Sequence, residues 1–139
     1  MRDVSREDHV ARFQTAMGQA VGKELRVGMG GLVALRTELI KEEANELIDE
    51  LNAAYVTISR GKAVSREDVA AILKEMADLQ YVLSGLAVTF DLPLQPAFKR
   101  VHDSNMSKLN DQGKPDYRAD GKVMKGPNYH KPDLLDLVS

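Results

Sequence analysis

An all-α fold, a bundle of four to five helices organised on an antiparallel helical hairpin, is what this sequence of 139 residues predicts. Three observations carry the prediction. Apolar residues recur at helical spacing over long segments. No segment alternates apolar and polar residues strongly enough to commit to a strand. Gly22, Gly61 and Pro93 punctuate the periodic segments where helices should stop or start.

Ser5, followed by Glu7 and Asp8, reads as the start of the first helix, with acids in its first turn to suit the dipole. Val10, Phe13, Met17 and Ala20 follow as its apolar stripe, with Phe13 expected in the core, Gln14 off the stripe, and Gly22 as the stop. Gly28 to Gly31 reads as a turn, since it lacks the spacing and the Lys-Ser/Thr of a phosphate-binding loop. A second helix is expected from about Leu32 to about Ser59. After the Gly61 break, Ser65 caps a third, with Asp68 at the capping-box position. Its stripe runs through Val69, Ile72, Leu73, Met76, Leu79, Leu83, Leu86 and Phe90. Pro93 opens a fourth helix, roughly Leu94 to Leu109, with Phe98, Val101 and Met106 expected inside.

The character changes beyond that helix. All five prolines lie after Leu92, and from there on eight Lys/Arg face six Asp, a local balance of +2. Residues 111–132 read as irregular, cationic and turn-rich, with Tyr117, Val123, Met124 and Tyr129 as apolar anchors. We therefore expect one domain, with a helical core over 1–110 and an irregular cationic tail over 111–139.

Composition excludes several functions. With no cysteine there is no disulfide, zinc–thiolate site or thiol catalysis. A net charge of −2 does not suggest a nucleic-acid partner. The N-terminus lacks the apolar core of a signal peptide, and no run approaches the roughly 20 apolar residues of a membrane span. The expectation is a soluble, cytoplasmic protein with no membrane partner.

The informative stretch is Glu38–Glu50, with six carboxylates and one cation, Lys41. A charge run is usually a solvated face. At about 100° per residue, however, Glu43, Glu46 and Glu50 share a side with Leu32, Leu35 and Leu39. Carboxylates that intrude on an apolar stripe must be paired, protonated or bound to metal. In the third helix Glu75 and Asp78 form an i, i+3 pair. Glu46 lies 15 residues before Gly61 and Glu75 lies 14 after it, so the two acidic patches should meet at one height across the hairpin. Glu42, Glu43, Glu46, Glu75 and Asp78 then make an all-oxygen site suited to hard divalent ions, Mg²⁺ or Mn²⁺. Carboxylate di-iron bundles need Glu-x-x-His, and neither patch holds a histidine. His9, His102 and His130 are scattered, and no serine sits in a nucleophile elbow. Acids inside with a cationic segment outside suit metal-dependent cleavage of a nucleoside triphosphate.

E-E-x-x-E from Glu42 to Glu46, then 28 residues, then E-x-x-D from Glu75 to Asp78, resembles the signature of the all-α nucleoside triphosphate pyrophosphohydrolases. That superfamily includes MazG-like enzymes, dimeric dUTPases and phosphoribosyl-ATP pyrophosphohydrolases. S-N-M-S-K-L at 104–109, with the Gly/Lys-rich segment after it, resembles the MazG-like, dUTPase-related branch. The resemblance implies a MazG-like bundle assembled as a homodimer or a dimer of dimers. It also implies cleavage of the α–β phosphate bond, with dUTP as the preferred substrate, yielding dUMP and pyrophosphate. Two or more Mg²⁺ ions are implied, with Mn²⁺ as a substitute. By the same analogy Glu43, Glu46, Glu75 and Asp78 bind the principal ion, and Glu42 holds a further ion or positions the attacking water, so Glu43 and Glu42 are the catalytic candidates. Asn105 and Lys108 would contact the nucleotide; Lys114, Tyr117, Arg118, Lys122 and Lys125 would close over its phosphates; Phe13 and Gln14 would stack on and hydrogen-bond the base. One alternative is a housecleaning enzyme for several or damaged nucleotides. Another, of a different class, is an inactive helical dimerisation or regulatory module. Glu50 is left as a supporting candidate, and Glu38 and Asp49 as solvated charges.

Overall fold

The computed structural model describes residues 3–138. It contains four α-helices, α1 (Arg6–Ala16), α2 (Gly30–Ser59), α3 (Arg66–Thr89) and α4 (Leu94–Met106), and a 3₁₀ turn at Leu135–Leu137. The chain groups into two compact units, residues 1–92 and 93–139. The fold class is the one expected. α4 groups with the irregular segment that follows it, rather than with the hairpin. Among the described residues no helix is long and apolar enough to cross a membrane.

In the first unit, Ser5 caps α1 with a full capping box. Its Oγ accepts from the Asp8 N–H at 3.1 Å, and Asp8 Oδ2 accepts from the Ser5 N–H at 2.9 Å. α1 ends at Ala16, earlier than the Gly22 stop expected, because Gly18 takes a left-handed turn (φ 71°). The linker then runs along the end of α3, with the Gly22 and Lys23 N–H groups donating to the Val88 and Thr89 carbonyls at 2.9 and 2.7 Å. α2 begins at Gly30, two residues before the expected start, so the second half of the glycine cluster is helical. Over 30 residues α2 is about 45 Å long. Gly61 (φ 72°) makes the turn into α3, whose Ser65 Oγ accepts from the Asp68 N–H at 3.1 Å.

α3 packs against both α2 and α1. The core lies at its C-terminal end, where Val10, Ala87, Val88 and Phe90 are buried beside Gln14, Arg36, Ser84 and Thr89. This reverses two expectations. Phe13 is 38% exposed, edge-on to Tyr81 at 5.5 Å, whereas Gln14 is 1% exposed. Gln14 Nε2 donates to the Ala20 carbonyl at 2.8 Å and to Thr89 Oγ1 at 3.2 Å, so the inward position supplies a donor to the turn after α1. The N-terminal half of the α3 stripe is also not core, since Val69, Leu73 and Met76 are exposed.

Arg36 is buried against Gly85 and has no carboxylate partner among the described residues. Its Nη2 donates to Gln19 Oε1 at 3.3 Å, Nε has no partner, and burial lowers its pKa. A Cβ on Gly85 would lie 2.7 Å from Arg36 Nη1 and 2.8 Å from Gln14 Oε1, so any side chain here must displace the buried ends of Arg36 and Gln14.

In the second unit α4 stops at Met106, three residues short of the expected end. Its expected inner residues Phe98, Val101 and Met106 are exposed, and the buried position is Ser104, whose Oγ donates to the His130 carbonyl at 2.7 Å. Arg100 pairs with Asp136, tying α4 to the 3₁₀ turn. The intervening segment is ordered by short turns. Asn110 Oδ1 accepts from the N–H groups of Gln112 and Lys114, and Tyr117 and Val123 form an antiparallel bridge closed through Gly121.

Candidate functional site

The acidic residues of α2 and α3 meet as the count across Gly61 requires. One carboxylate oxygen from each of Glu43, Glu46, Glu75 and Asp78 lies within 4.8 Å of the others. α2 contributes Glu43 and Glu46, and α3 contributes Glu75 and Asp78; each is an i, i+3 pair, so each helix presents two carboxylates on one face. Arg36 lies seven residues before Glu43, and Gly85 seven after Asp78. Both therefore share the inner face of the hairpin, about 10.5 Å along the helices from the acidic group.

Glu43, Glu75 and Asp78 are half-buried and Glu46 is exposed. Glu43 Oε2 and Glu75 Oε2 are each inaccessible to solvent and without a hydrogen-bond partner. A buried, unpartnered carboxylate oxygen is costly. Burial pushes the Glu43 carboxyl up from its ordinary 4.5, and repulsion by Glu46, Asp78 and Glu42 pushes it further. A divalent cation bound by these four side chains would relieve both costs. The donor set is oxygen only, which suits a hard ion. The residues present therefore fit a metal.

The other acidic candidates separate from this group. Glu42 is exposed and outside the four, near enough to Glu43 to raise its pKa. Glu38 is an exposed partner of Lys41 at 3.4 Å. Asp49 is exposed and Glu50 half-buried, and neither joins the group.

One side chain beside the group was missed by motif reasoning. Lys74 Nζ lies 2.7 Å from Asp78 Oδ2 and 3.4 Å from Glu75 Oε1. These two carboxylates hold its ammonium well above its ordinary pKa, Asp78 contributing most. Its i, i+4 spacing to Asp78 was the available signal.

The seven cationic and polar candidates all fall in the second unit. Asn105 is on α4 and exposed, and Lys108 is half-buried just beyond it. Lys114, Tyr117, Arg118, Lys122 and Lys125 are brought together by the turns of residues 110–126 and are exposed. Arg118 is engaged locally, its Nε donating to Asp120 Oδ1 at 3.0 Å, while Lys125 sits over the Tyr129 ring at 4.9 Å. In the first unit, Gln14 spends its amide nitrogen internally, and Phe13 keeps an exposed ring edge beside Tyr81.

A family model for phosphoribosyl-ATP pyrophosphohydrolase matches residues 10–105. No curated protein matches the sequence. The match spans well over half of the chain and includes all five motif carboxylates. It stops before the cationic segment, and it does not single out the dUTPase-related branch. The chain belongs to the phosphoribosyl-ATP pyrophosphohydrolase family of all-α nucleotide pyrophosphohydrolases.

Proposed function

We propose that the protein is a divalent-metal-dependent nucleoside triphosphate pyrophosphohydrolase that cleaves the α–β phosphate bond. The observation that supports this most is the four-carboxylate group with two buried, unpartnered oxygens on facing helices of a pyrophosphohydrolase-family domain. Glu43, Glu46, Glu75 and Asp78 would hold Mg²⁺, with Mn²⁺ as a substitute, in one or more ions. Bound there, the metal supplies charge neutralisation at the phosphates and lowers the pKa of water. Glu42, exposed on α2 beside the group, would hold a further ion or orient the attacking water and accept its proton. Water adds to phosphorus, the P–O bond between the α and β phosphates breaks, and pyrophosphate leaves.

Lys114, Lys122 and Lys125 are exposed cations in a turn-rich segment and suit polyphosphate, as do the neighbouring Tyr117, Arg118, Asn105 and Lys108. Phe13 offers an exposed ring for stacking a base, whereas Gln14, fully buried, would support that end of α1 from within rather than meet the base. We take dUTP as the substrate, with a housecleaning role on several or damaged nucleotides as the broader form of the same reading. Phosphoribosyl-ATP is the second reading, favoured by the family match itself. Against it, the match ends at residue 105 and leaves the cationic segment outside. We further propose a homodimer or a dimer of dimers in the cytoplasm. Ile48, Leu51, Tyr55 and Ile58 on α2, with Val69, Leu73 and Met76 on α3, are exposed apolar side chains at helical spacing, which suits a further subunit against the hairpin.

The test is a turnover panel over canonical and deaminated nucleoside triphosphates and phosphoribosyl-ATP, with Mg²⁺ and coupled pyrophosphatase. Release of pyrophosphate from dUTP in preference to the others supports the reading. Comparable turnover of several supports the housecleaning form, and turnover of phosphoribosyl-ATP alone the second reading. No metal-dependent turnover of any would leave an inactive helical module.

A further inference from the structure

We propose that Lys74 is the resident counter-ion of the acidic centre, and that its charge sets how weakly the centre binds a divalent ion. The inference rests on the metal-holding reading above and concerns a residue outside the motif carboxylates.

Among the described residues, Lys74 is the only Lys or Arg paired with any of the four clustered acids, and it meets two of them. Glu75 gives Oε1 to Lys74 while its Oε2 is buried and unpartnered, so the ammonium satisfies one oxygen of this carboxylate and leaves the other without a partner. Asp78 accepts at 2.7 Å, the length of a strong charge-assisted hydrogen bond. The centre therefore carries four acids and one cation.

An ion entering the group gains the attraction of those carboxylates and meets the repulsion of an ammonium already on two of them. Either Lys74 swings away and loses Asp78, or it stays beside a like charge. Both routes weaken metal binding. At 65% exposure the side chain has room to swing. The effect at this partly solvated distance is roughly three- to tenfold in the dissociation constant. Conversely, the ammonium offsets part of the carboxylate repulsion across the hairpin while no divalent ion is bound.

The experiment is calorimetric titration of the full chain with Mn²⁺ alone, without nucleotide, for wild type, Lys74→Met, Lys74→Arg and Lys41→Met. Lys41 is an equally exposed cation whose partner Glu38 lies outside the group, so it controls for net charge. Lys74→Met should bind Mn²⁺ about three- to tenfold more tightly, with Lys74→Arg and Lys41→Met within about twofold of wild type. Unchanged or weaker binding in Lys74→Met would overturn the inference, weaker binding meaning that the lysine orients Glu75 instead. Equal tightening in Lys41→Met would overturn it too, by reducing the effect to net charge. If wild type and Lys74→Met both fail to bind Mn²⁺, the metal reading itself falls and takes the inference with it.

Discussion

Replacing Glu43 by Gln separates the cost of the acidic centre from its function. Glu43 Oε2 is buried without a partner, and Glu46 and Asp78 each bring a carboxylate oxygen within 4.8 Å. Two unit charges at that distance repel by about 1 kcal/mol with water-like screening. Two such neighbours at a half-open site, discounted for solvent, give a net gain of about 1 kcal/mol from the isosteric neutral side chain. For a domain of this size that is about 3 °C in Tm. The raised carboxyl fixes the sign of the pH dependence. Folded Glu43 holds its proton to higher pH than the unfolded chain does, so native stability falls as pH rises from 4.5 through the raised value. The advantage of Glu43→Gln should therefore be larger at about pH 7.5 than at about pH 4, where the carboxyl is mostly protonated in both states. The assay is thermal unfolding in EDTA at both pH values and at fixed protein concentration, repeated with Mn²⁺. Wild type should gain about 2.7 kcal/mol at an ion concentration of 100 times Kd, the variant much less, and pyrophosphohydrolase turnover should be lost. A variant less stable than wild type in EDTA at pH 7.5, or one equally stabilised by Mn²⁺, would refute the reasoning.

Three further outcomes follow from the geometry. Gly85→Ala drives a methyl into Arg36 Nη1 and Gln14 Oε1 and should destabilise by about 1–3 kcal/mol in urea unfolding. Ser5→Ala removes one half of a capping box and should cost about 1 kcal/mol by the same measurement. Joint replacement of Lys114, Lys122 and Lys125 by Ala should raise KM for the triphosphate about tenfold or more. Calorimetric Mn²⁺ affinity should stay unchanged, because these cations belong to the turns of residues 110–126 and not to the hairpin.

The hairpin was legible because its information is local. Gly61 breaks the helices, Ser65 caps the second of them, and equal counts from the turn bring Glu46 and Glu75 to one height. Motif reasoning grouped Glu42 with the ligands. In the fold Glu42 is exposed and lies outside the four, about 100° round the helix from half-buried Glu43 although only about 40° from Glu46, so spacing alone could not separate it. What stayed illegible depends on tertiary closure. Phe13 and Gln14 exchange places because α1 ends at Ala16, and the turn that follows needs a side-chain donor at the Ala20 carbonyl. Nothing in the period of the apolar residues encodes that bond. The stripe of Val69, Leu73 and Met76 was correctly read as one apolar face, but periodicity says which face is apolar and not what covers it. Arg36 went unnoticed for a related reason. Its burial comes from Gly85, a residue 49 positions away that has no side chain to signal a contact.

The central claim is metal-dependent cleavage between the α and β phosphates. It is tested most directly by ³¹P NMR of a dUTP reaction with Mg²⁺. dUMP and pyrophosphate should appear in equal amounts and be absent in EDTA and with Glu43→Gln. Formation of dUDP and orthophosphate, or turnover that persists without a divalent ion, would contradict it.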